Sequence, residues 1–367
     1  MRSWVEVSLG QIRANYRAVR KVVGSEVEVM AVVKADAYRH GAPEVARALE
    51  AEGANWLAVS NVDEGVYLRR QGIRARILVM ADFLPDERAG LEEFGLTPVI
   101  HSLEDLPAAR VPYHLKIDSG MGRLGTRASA EEIARAVQAV PANLEGLMTH
   151  FASSGNYESR QTDDQLAHFE GVLSGLRAAG LTPHYIHASG TIPVAYGRKA
   201  AWWNLVRPGH AIYGYVSPAR GSAPRRQLVV KPALSWKATV LAVKNLEAGS
   251  LIGYGGIHRA ARPMRIAVLA AGYADGIPHR LGNRGHVIAR GKLAPIIGAV
   301  SMDLTTIDIS ASPEIRVGDA VTLLGSETDV SGSVVSIDAQ QVAKVAGTIS
   351  YSVLCGISAR VKRVYVD

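Results

Sequence analysis

From Val27 to about Tyr215, short apolar runs alternate with amphipathic segments of helical period. The runs Glu28–Val33, Trp56–Ser60, Ala75–Met80, Thr97–His101, Tyr113–Asp118, Leu144–Phe151, His184–Ala188 and Asn204–Val206 read as strands, several of them apolar on both faces, as strands covered by helices must be. Between them, Pro43–Glu52, Val62–Gln71, Ala130–Val140 and Asp164–Ala179 place apolar residues on one helical face. Eight such strand–helix units predict an α/β TIM barrel. A doubly wound sheet is the alternative, but no Gly-x-Gly-x-x-Gly turn follows the first strand to support it. Past about residue 228 the pattern becomes β-rich with Gly and Pro punctuation: Leu234–Val243, Met264–Ala271, Gly285–Ile288, Ala294–Ile297, Thr305–Ile309 and Ala320–Leu324. Helical periodicity returns only at Ser336–Ala346. The expected organisation is a barrel domain over residues 1–228 and a mostly β domain over residues 229–367.

Composition narrows the class of protein. With 48% hydrophobic and 20% charged residues the chain is ordinary for a globular protein. Its net charge of +7 comes from 41 basic residues dispersed among 34 acidic ones, with no basic tract carrying aromatics, so nucleic acid is not an expected partner. No run of about 18 apolar residues is present to span a membrane. Cys355 is the only cysteine, which excludes an intrachain disulfide and a zinc site built on several thiolates; no metal is expected, and a reducing, cytoplasmic location fits.

Candidate chemistry collects at predicted strand ends. Lys34 closes the apolar run Ala31-Val32-Val33, where desolvation favours the neutral amine that condenses with an aldehyde. Lys116-Ile117-Asp118-Ser119-Gly120-Met121-Gly122-Arg123-Leu124-Gly125 sets three glycines around Arg123, a residue suited to clamping a carboxylate with two parallel hydrogen bonds. Arg207 ends the eighth strand, and Gly209-His210 is expected to open a short helix whose N–H groups favour an anion. Thr191 follows the seventh strand and can add a hydroxyl. His150 and His187 sit at strand ends as well. The β-rich half contributes Gly253-Tyr254-Gly255, Gly272-Tyr273-Ala274-Asp275-Gly276, Ser301-Met302-Asp303 and Ile349-Ser350-Tyr351, loop tyrosines of the kind that serve as acid or base when the phenolate is stabilised.

Taken in order, these segments resemble alanine racemase, a pyridoxal 5′-phosphate enzyme family: AVVKADAY at 31–38, LKIDSGMGRLG at 115–125, THF at 149–151, VRPGHAIYG at 206–214, GYG at 253–255, GYADG at 272–276, SMD at 301–303 and ISY at 349–351. The resemblance implies a homodimer paired head to tail, acting on a small amino acid and supplying D-alanine for peptidoglycan. It implies that Lys34 binds the cofactor as a Schiff base and is one catalytic base, and that Tyr254 of the other chain is the opposite-face base. Arg207 would meet the pyridine nitrogen, His150 would stand beside the ring, and Tyr38, Thr191, Gly209, His210 and Tyr351 would hold the phosphate. Arg123 and the N–H of Met302 would bind the substrate carboxylate, Tyr273 and Tyr351 would form the entrance, and Lys116 stands where the family can carry an N6-carboxylysine. The alternatives are a racemase of serine or of broader amino-acid specificity and, more weakly, a non-catalytic pyridoxal phosphate-binding protein.

Overall fold

The computed structural model describes residues 1–81 and 83–367, and its contacts separate two units. One comprises Gly10–Ala37 and Ala42–Lys231; the other comprises Met1–Leu9, Tyr38–Gly41 and Pro232–Asp367.

In the first unit eight parallel strands form one sheet: Glu28–Val32, Trp56–Val59, Arg76–Val79, Thr97–Ile100, Tyr113–Lys116, Leu144–Met148, Tyr185–His187 and Leu205–Val206. Each lies within an apolar run anticipated from the sequence and stops one to three residues short of at least one end of it. Neighbours pair in chain order, and the last strand pairs with the first, Glu28 opposite Leu205 and Val29 opposite Val206. The seventh and eighth strands share no ladder; instead Asn204 bridges the gap, its Oδ1 accepting from Ile186 N–H at 2.8 Å and its Nδ2 donating to His184 O at 2.5 Å. The sheet is thus a nearly closed barrel. Helices fall where helical spacing predicts them, at Ala42–Ala51, Val62–Arg70, Ala130–Gln138 and Gln161–Ala178. Ser129 and Glu132 cap the third of these reciprocally, which satisfies N–H groups that the first turn leaves unpaired. After Ile100 the connection is a 3₁₀ segment, Leu103–Ala108, because Pro107 cannot donate into an α-helical ladder. Phe169 and Leu176 of the long helix pack with Ile133, Leu115 and Leu147 in the core beneath the strands.

The turn after the first barrel strand is the main departure from ordinary backbone. Ala35, Asp36, Ala37, Tyr38 and Arg39 all have positive φ, between 53° and 65°, so Lys34–Arg39 winds left-handed without a glycine. Such a conformation costs roughly 1–2 kcal/mol per residue, and the surrounding bonds hold it. Glu64 accepts from Ala35 N–H and Ser60 N–H, each at 2.7 Å, and Asp36 accepts from Ala42 N–H at 2.8 Å. Gly209-His210 does not open a regular helix: Gly209, His210 and Ala211 carbonyls accept from Ile212, Tyr213 and Gly214 in three successive i→i+3 turns.

The second unit is built on a nine-stranded sheet. Its spine is Leu234–Leu246, whose burial alternates as a half-exposed strand requires, paired with Ala320–Thr328 and Met264–Leu269. The expected division at residues 228/229 needs an amendment at the start of the chain: Ser3–Ser8 lies in this sheet, antiparallel to Leu234–Leu246 and parallel to Lys362–Val366. Its six residues alternate buried and half-buried, a pattern that fits a sheet edge as readily as a barrel and that only pairing resolves. Among the described residues no helix is long and apolar enough to cross a membrane.

Candidate active site

The barrel unit places the candidate side chains named from its sequence at or just beyond the C-terminal ends of its strands. Lys34 follows the first strand, Lys116 ends the fifth, Arg123 lies in the loop beyond it, His150 follows the sixth, His187 ends the seventh and Arg207 follows the eighth. This is the mouth at which barrels of this architecture bind ligands. Arg207 is buried, and every acceptor it meets is neutral: His187 Nδ1 at 2.7 Å, Thr149 O at 2.8 Å, Ala188 O at 3.1 Å and His150 Nδ1 at 3.3 Å. Burial lowers the guanidinium from the usual arginine range to about 9, and it remains a cation at neutral pH. Lys116, also buried, is lowered to about 8 by burial and by the nearby charges of Arg123 and Arg207. His150 is pushed down to about 3 by burial and by Arg207, Lys116, Arg123 and Lys34, so its imidazole is neutral. The cations Lys34, Lys116, Arg123 and Arg207 therefore share one field.

Among the described residues Asp118 is a carboxylate that acts on Lys116, and it is already engaged. Asp118 Oδ1 accepts from the N–H groups of Gly120, Met121 and Gly122 at 3.2, 2.9 and 2.9 Å, and Oδ2 takes Arg127 Nε at 2.8 Å. Burial opposes its ionisation, but the N–H groups of the loop and Arg127 outweigh that and hold the carboxyl at about 2. Gly125, at φ 115°, lets the loop double back: a Cβ there would lie 2.8 Å from Asp118 N. The loop thus offers Arg123 exposed, with no hydrogen bond or ion pair among the described residues. Gln165 ties the neighbouring segments together, donating to His150 O at 3.1 Å and Ser119 Oγ at 3.3 Å. Thr191 Oγ1 accepts from Ala211 N–H at 3.1 Å, which leaves its own O–H to donate. His210, buried, stacks on Tyr215 with centroids 5.0 Å apart.

The other unit holds the remaining sequence candidates. Tyr38 is buried with its ring 5.9 Å from that of Tyr351, and burial together with Tyr351 and Cys355 raises its phenol above the ordinary tyrosine value, so it is an O–H donor. Tyr254 opens a 3₁₀ turn after Gly253, at φ 72°, and is 76% exposed. Tyr273 and Met302 are brought side by side because Gly272 has no Cβ; one would lie 2.3 Å from Ser301 O and 2.4 Å from Met302 O. Tyr273 N–H and Ala274 N–H donate to those carbonyls at 2.9 Å each. Arg360 locks the pair of loops, bonding Asp275 at 2.7 and 2.9 Å and Asp303 at 2.7 Å. Asp118 and Thr149 stand inside sequence motifs, the glycine loop and THF, that assign them no role, and Gln165 and Arg360 carry no local signal. Among the described residues no group of three or more His, Cys, Asp or Glu is placed to hold a metal ion.

Residues 7–218 match the family model described as "Alanine racemase, N-terminal domain" and residues 233–365 the model of its C-terminal domain. The alanine racemase of Symbiobacterium thermophilum is 39% identical over 99% of this chain and 97% of its own length. The structure of alanine racemase from Bacillus anthracis with bound L-Ala-P superposes with a TM-score of 0.90 at 34% identity, covering 100% of this chain and 95% of that one. The enzyme from Bartonella henselae, solved with covalently bound pyridoxal phosphate, gives 0.86 at 26% identity over the whole of both chains. The chain belongs to the alanine racemase family.

Asp118→Asn tests how the loop is held. The folded pKa of Asp118 is depressed, so its stabilisation is fully present above the unfolded value near ~4 and is lost as pH falls through about 2. The variant is expected to be less stable at neutral pH by on the order of 2 kcal/mol, with the two urea unfolding curves converging as pH approaches about 2. A gap that persists at low pH would contradict the assignment.

Proposed function

We propose that this protein interconverts L-alanine and D-alanine with pyridoxal 5′-phosphate as cofactor, as a cytoplasmic homodimer whose D-alanine feeds peptidoglycan synthesis. The observation that carries the reading is the field of Lys34, Lys116, Arg123 and Arg207 at one barrel mouth, in a chain of the alanine racemase family. The donor set fits the cofactor. Arg207 presents only N–H groups and faces neutral acceptors, which suits an unprotonated ring nitrogen. Among the described residues the surplus of cations over unengaged carboxylates suits a phosphate and a substrate carboxylate. When bound, the cofactor would supply an electron-withdrawing ring that delocalises the charge left by loss of the substrate α-proton.

Each side chain then has a role that its chemistry allows. Lys34 provides the amine that anchors the cofactor and moves the proton on one face of the substrate. Racemisation takes a proton from one face and returns one on the other, so a second base is required, and Tyr254 of a second copy of the chain serves. Arg207 holds the ring nitrogen and His150 supports Arg207. Tyr38 and Thr191 donate O–H groups to the phosphate, together with Gly209, His210 and Tyr351. Arg123 and the N–H of Met302 hold the substrate carboxylate, while Tyr273 and Tyr351 limit the entrance to small side chains. Lys116, lowered to about 8, has free amine near neutral pH to take up carbon dioxide as an N6-carboxylysine beside Arg123. Pairing of two copies is supported by the exposure of Tyr254, Leu251, Ile257, Met302 and Ile349, large apolar residues that a lone chain leaves to solvent.

An L-to-D conversion assay over several amino acids, with cofactor added, tests the activity and its specificity; alanine is expected to be turned over fastest, and faster turnover of serine would move the substrate assignment. Lys34→Ala is expected to abolish conversion together with the visible absorption of the bound cofactor, and an unchanged spectrum would sink the anchoring role. Mixed dimers of inactive Lys34→Ala and inactive Tyr254→Phe chains are expected to regain part of the activity through hybrid sites, and verified mixed dimers without activity would refute shared sites. In Tyr254→Phe, solvent deuterium is expected still to enter D-alanine with retention, since Lys34 remains, while conversion to the other enantiomer falls by about 10²–10⁴-fold. Near wild-type racemisation in both directions would remove Tyr254 as the second base.

A further inference from the structure

A column of polar side chains runs inside the barrel from its ligand-binding mouth to the opposite one. Barrel interiors of this type are ordinarily filled with branched apolar residues. Here His114 and His187 are both fully buried between the strands. His114 and Lys116 are two apart on one strand, as are Tyr185 and His187 on another, so each pair shares a face. His187 Nδ1 lies 2.7 Å from Arg207 Nη1, and His187 Nε2 lies 2.7 Å from His114 Nδ1. His114 Nε2 faces Glu145 Oε2 at 3.8 Å, and that same oxygen takes Arg76 Nη2 at 2.6 Å. The space for His114 is built in: a Cβ on Gly146 would lie 2.6 Å from its ring, and Tyr185 stacks on it at 5.8 Å. Arg76 lies over the Trp56 ring at 4.0 Å, beside an open hollow lined by Glu28, Glu50 and Arg74.

The proton positions in this column follow from donor and acceptor counts. A guanidinium only donates, so His187 Nδ1 must be an acceptor. Burial holds His187 and His114 below the ordinary histidine range, so both are neutral with one N–H each. The proton of His187 is then on Nε2 and is donated to His114 Nδ1. The proton of His114 is in turn on Nε2, on the side of Glu145, whose carboxylate at 3.8 Å is in electrostatic contact but beyond hydrogen-bond length. Burial works against ionisation of Glu145, but His114 and Arg76 more than offset it and hold the carboxyl at about 2. Every dipole in the line thus points the same way, from Arg207 at one end to a carboxylate at the other. Among the described residues Arg207 has no carboxylate partner, so its place depends on the neutral imidazoles and carbonyls that accept from it.

We propose that Glu145, at the N-terminal mouth of the barrel, is a positioning residue for the reaction at the other mouth: through His114 and His187 it fixes the tautomer and orientation of the imidazole that holds Arg207. Arg76 holds Glu145 in place. The proposal rests on the reading of Arg207 as the partner of the cofactor ring. Because Arg207 only donates, the column is a fixed line of dipoles and not a path that delivers protons.

The test combines nitrogen-15 spectra of the histidines, in the cofactor-free chain and in the loaded enzyme, with steady-state kinetics. In the wild-type chain His114 and His187 are expected to carry the proton on Nε2 in both states. Glu145→Gln keeps the shape and removes the charge. It is expected to shift the His114 and His187 signals and to lower kcat about tenfold, the lower end for partners that orient functional histidines, with KM for alanine within about twofold. Glu145→Asp is expected to recover most of the loss. His114→Asn, which can still accept from His187 but no longer reaches Glu145, is expected to lower kcat similarly and keeps the test open if Glu145→Gln does not fold. Nδ1–H signals from either wild-type histidine would overturn the proposal. So would a folded Glu145→Gln enzyme in which only the unfolding midpoint falls while signals and kcat stay in place, the behaviour of a purely structural Arg76–Glu145 pair. If Arg207→Gln also leaves racemisation untouched, it is the reading of Arg207 that fails instead.

Discussion

A buried guanidinium surrounded by neutral acceptors sets the terms for the barrel mouth. Arg207 follows the last strand and is bound by two imidazoles and two carbonyls. Burial first, and this charge after it, disfavour protonation of His150 and His187, and burial with Arg123 and Arg207 lowers Lys116 to about 8. These effects all have one sign: they keep nearby bases neutral and leave positive charge to be matched from outside. An anionic ligand with an acceptor nitrogen meets that demand. A protonated ring nitrogen would set donor against donor.

The second constraint is steric. Five consecutive non-glycine residues in the left-handed region follow Lys34, and each carries a conformational cost. Such strain persists only where neighbouring structure over-determines it. The carboxylates of Glu64 and Asp36 supply bonds to Ala35 and Ala42 N–H groups, and Ala37 N–H donates to Val33 O at 2.9 Å. An ordinary right-handed turn at the same place would send the chain after Lys34 along a different course. The strain is therefore tied to where the lysine leaves its strand.

How much of this the sequence discloses depends on whether a feature is local. Barrel strands are local: runs such as Trp56–Val59 and Tyr113–Lys116 are apolar enough to read directly, and their ends overran because flanking residues such as Ser60 and Asp118 bond into loops rather than ladders. The family motifs are also contiguous, so the candidate site is named residue by residue before any geometry. The strand Ser3–Ser8 is not legible in this sense, since its partners lie more than two hundred residues away. Nor is the left-handed turn, because Ala35-Asp36-Ala37-Tyr38 contains no glycine to mark it. The short helix expected at Gly209-His210 became successive turns, as Pro208 fixes the entry and Gly214 ends the run at φ 96°.

The polar column is the extreme case of non-local information. His114 sits in Tyr-His-Leu-Lys and Glu145 in Leu-Glu-Gly-Leu-Met, where each looks like an isolated polar residue in an apolar strand. His114 and His187 are 73 positions apart and meet only because the fifth, sixth and seventh strands are consecutive neighbours, with His114 opposite Gly146 and Met148 opposite His187. Gly146 makes the room: any side chain there would fill the space that the His114 ring takes. A glycine inside a strand weakens it, and two neutral imidazoles inside a barrel cost desolvation. Both costs fall on the same line of residues, and that line ends on Arg207. The interior of this barrel has therefore given up some packing stability to hold one cation in a fixed orientation.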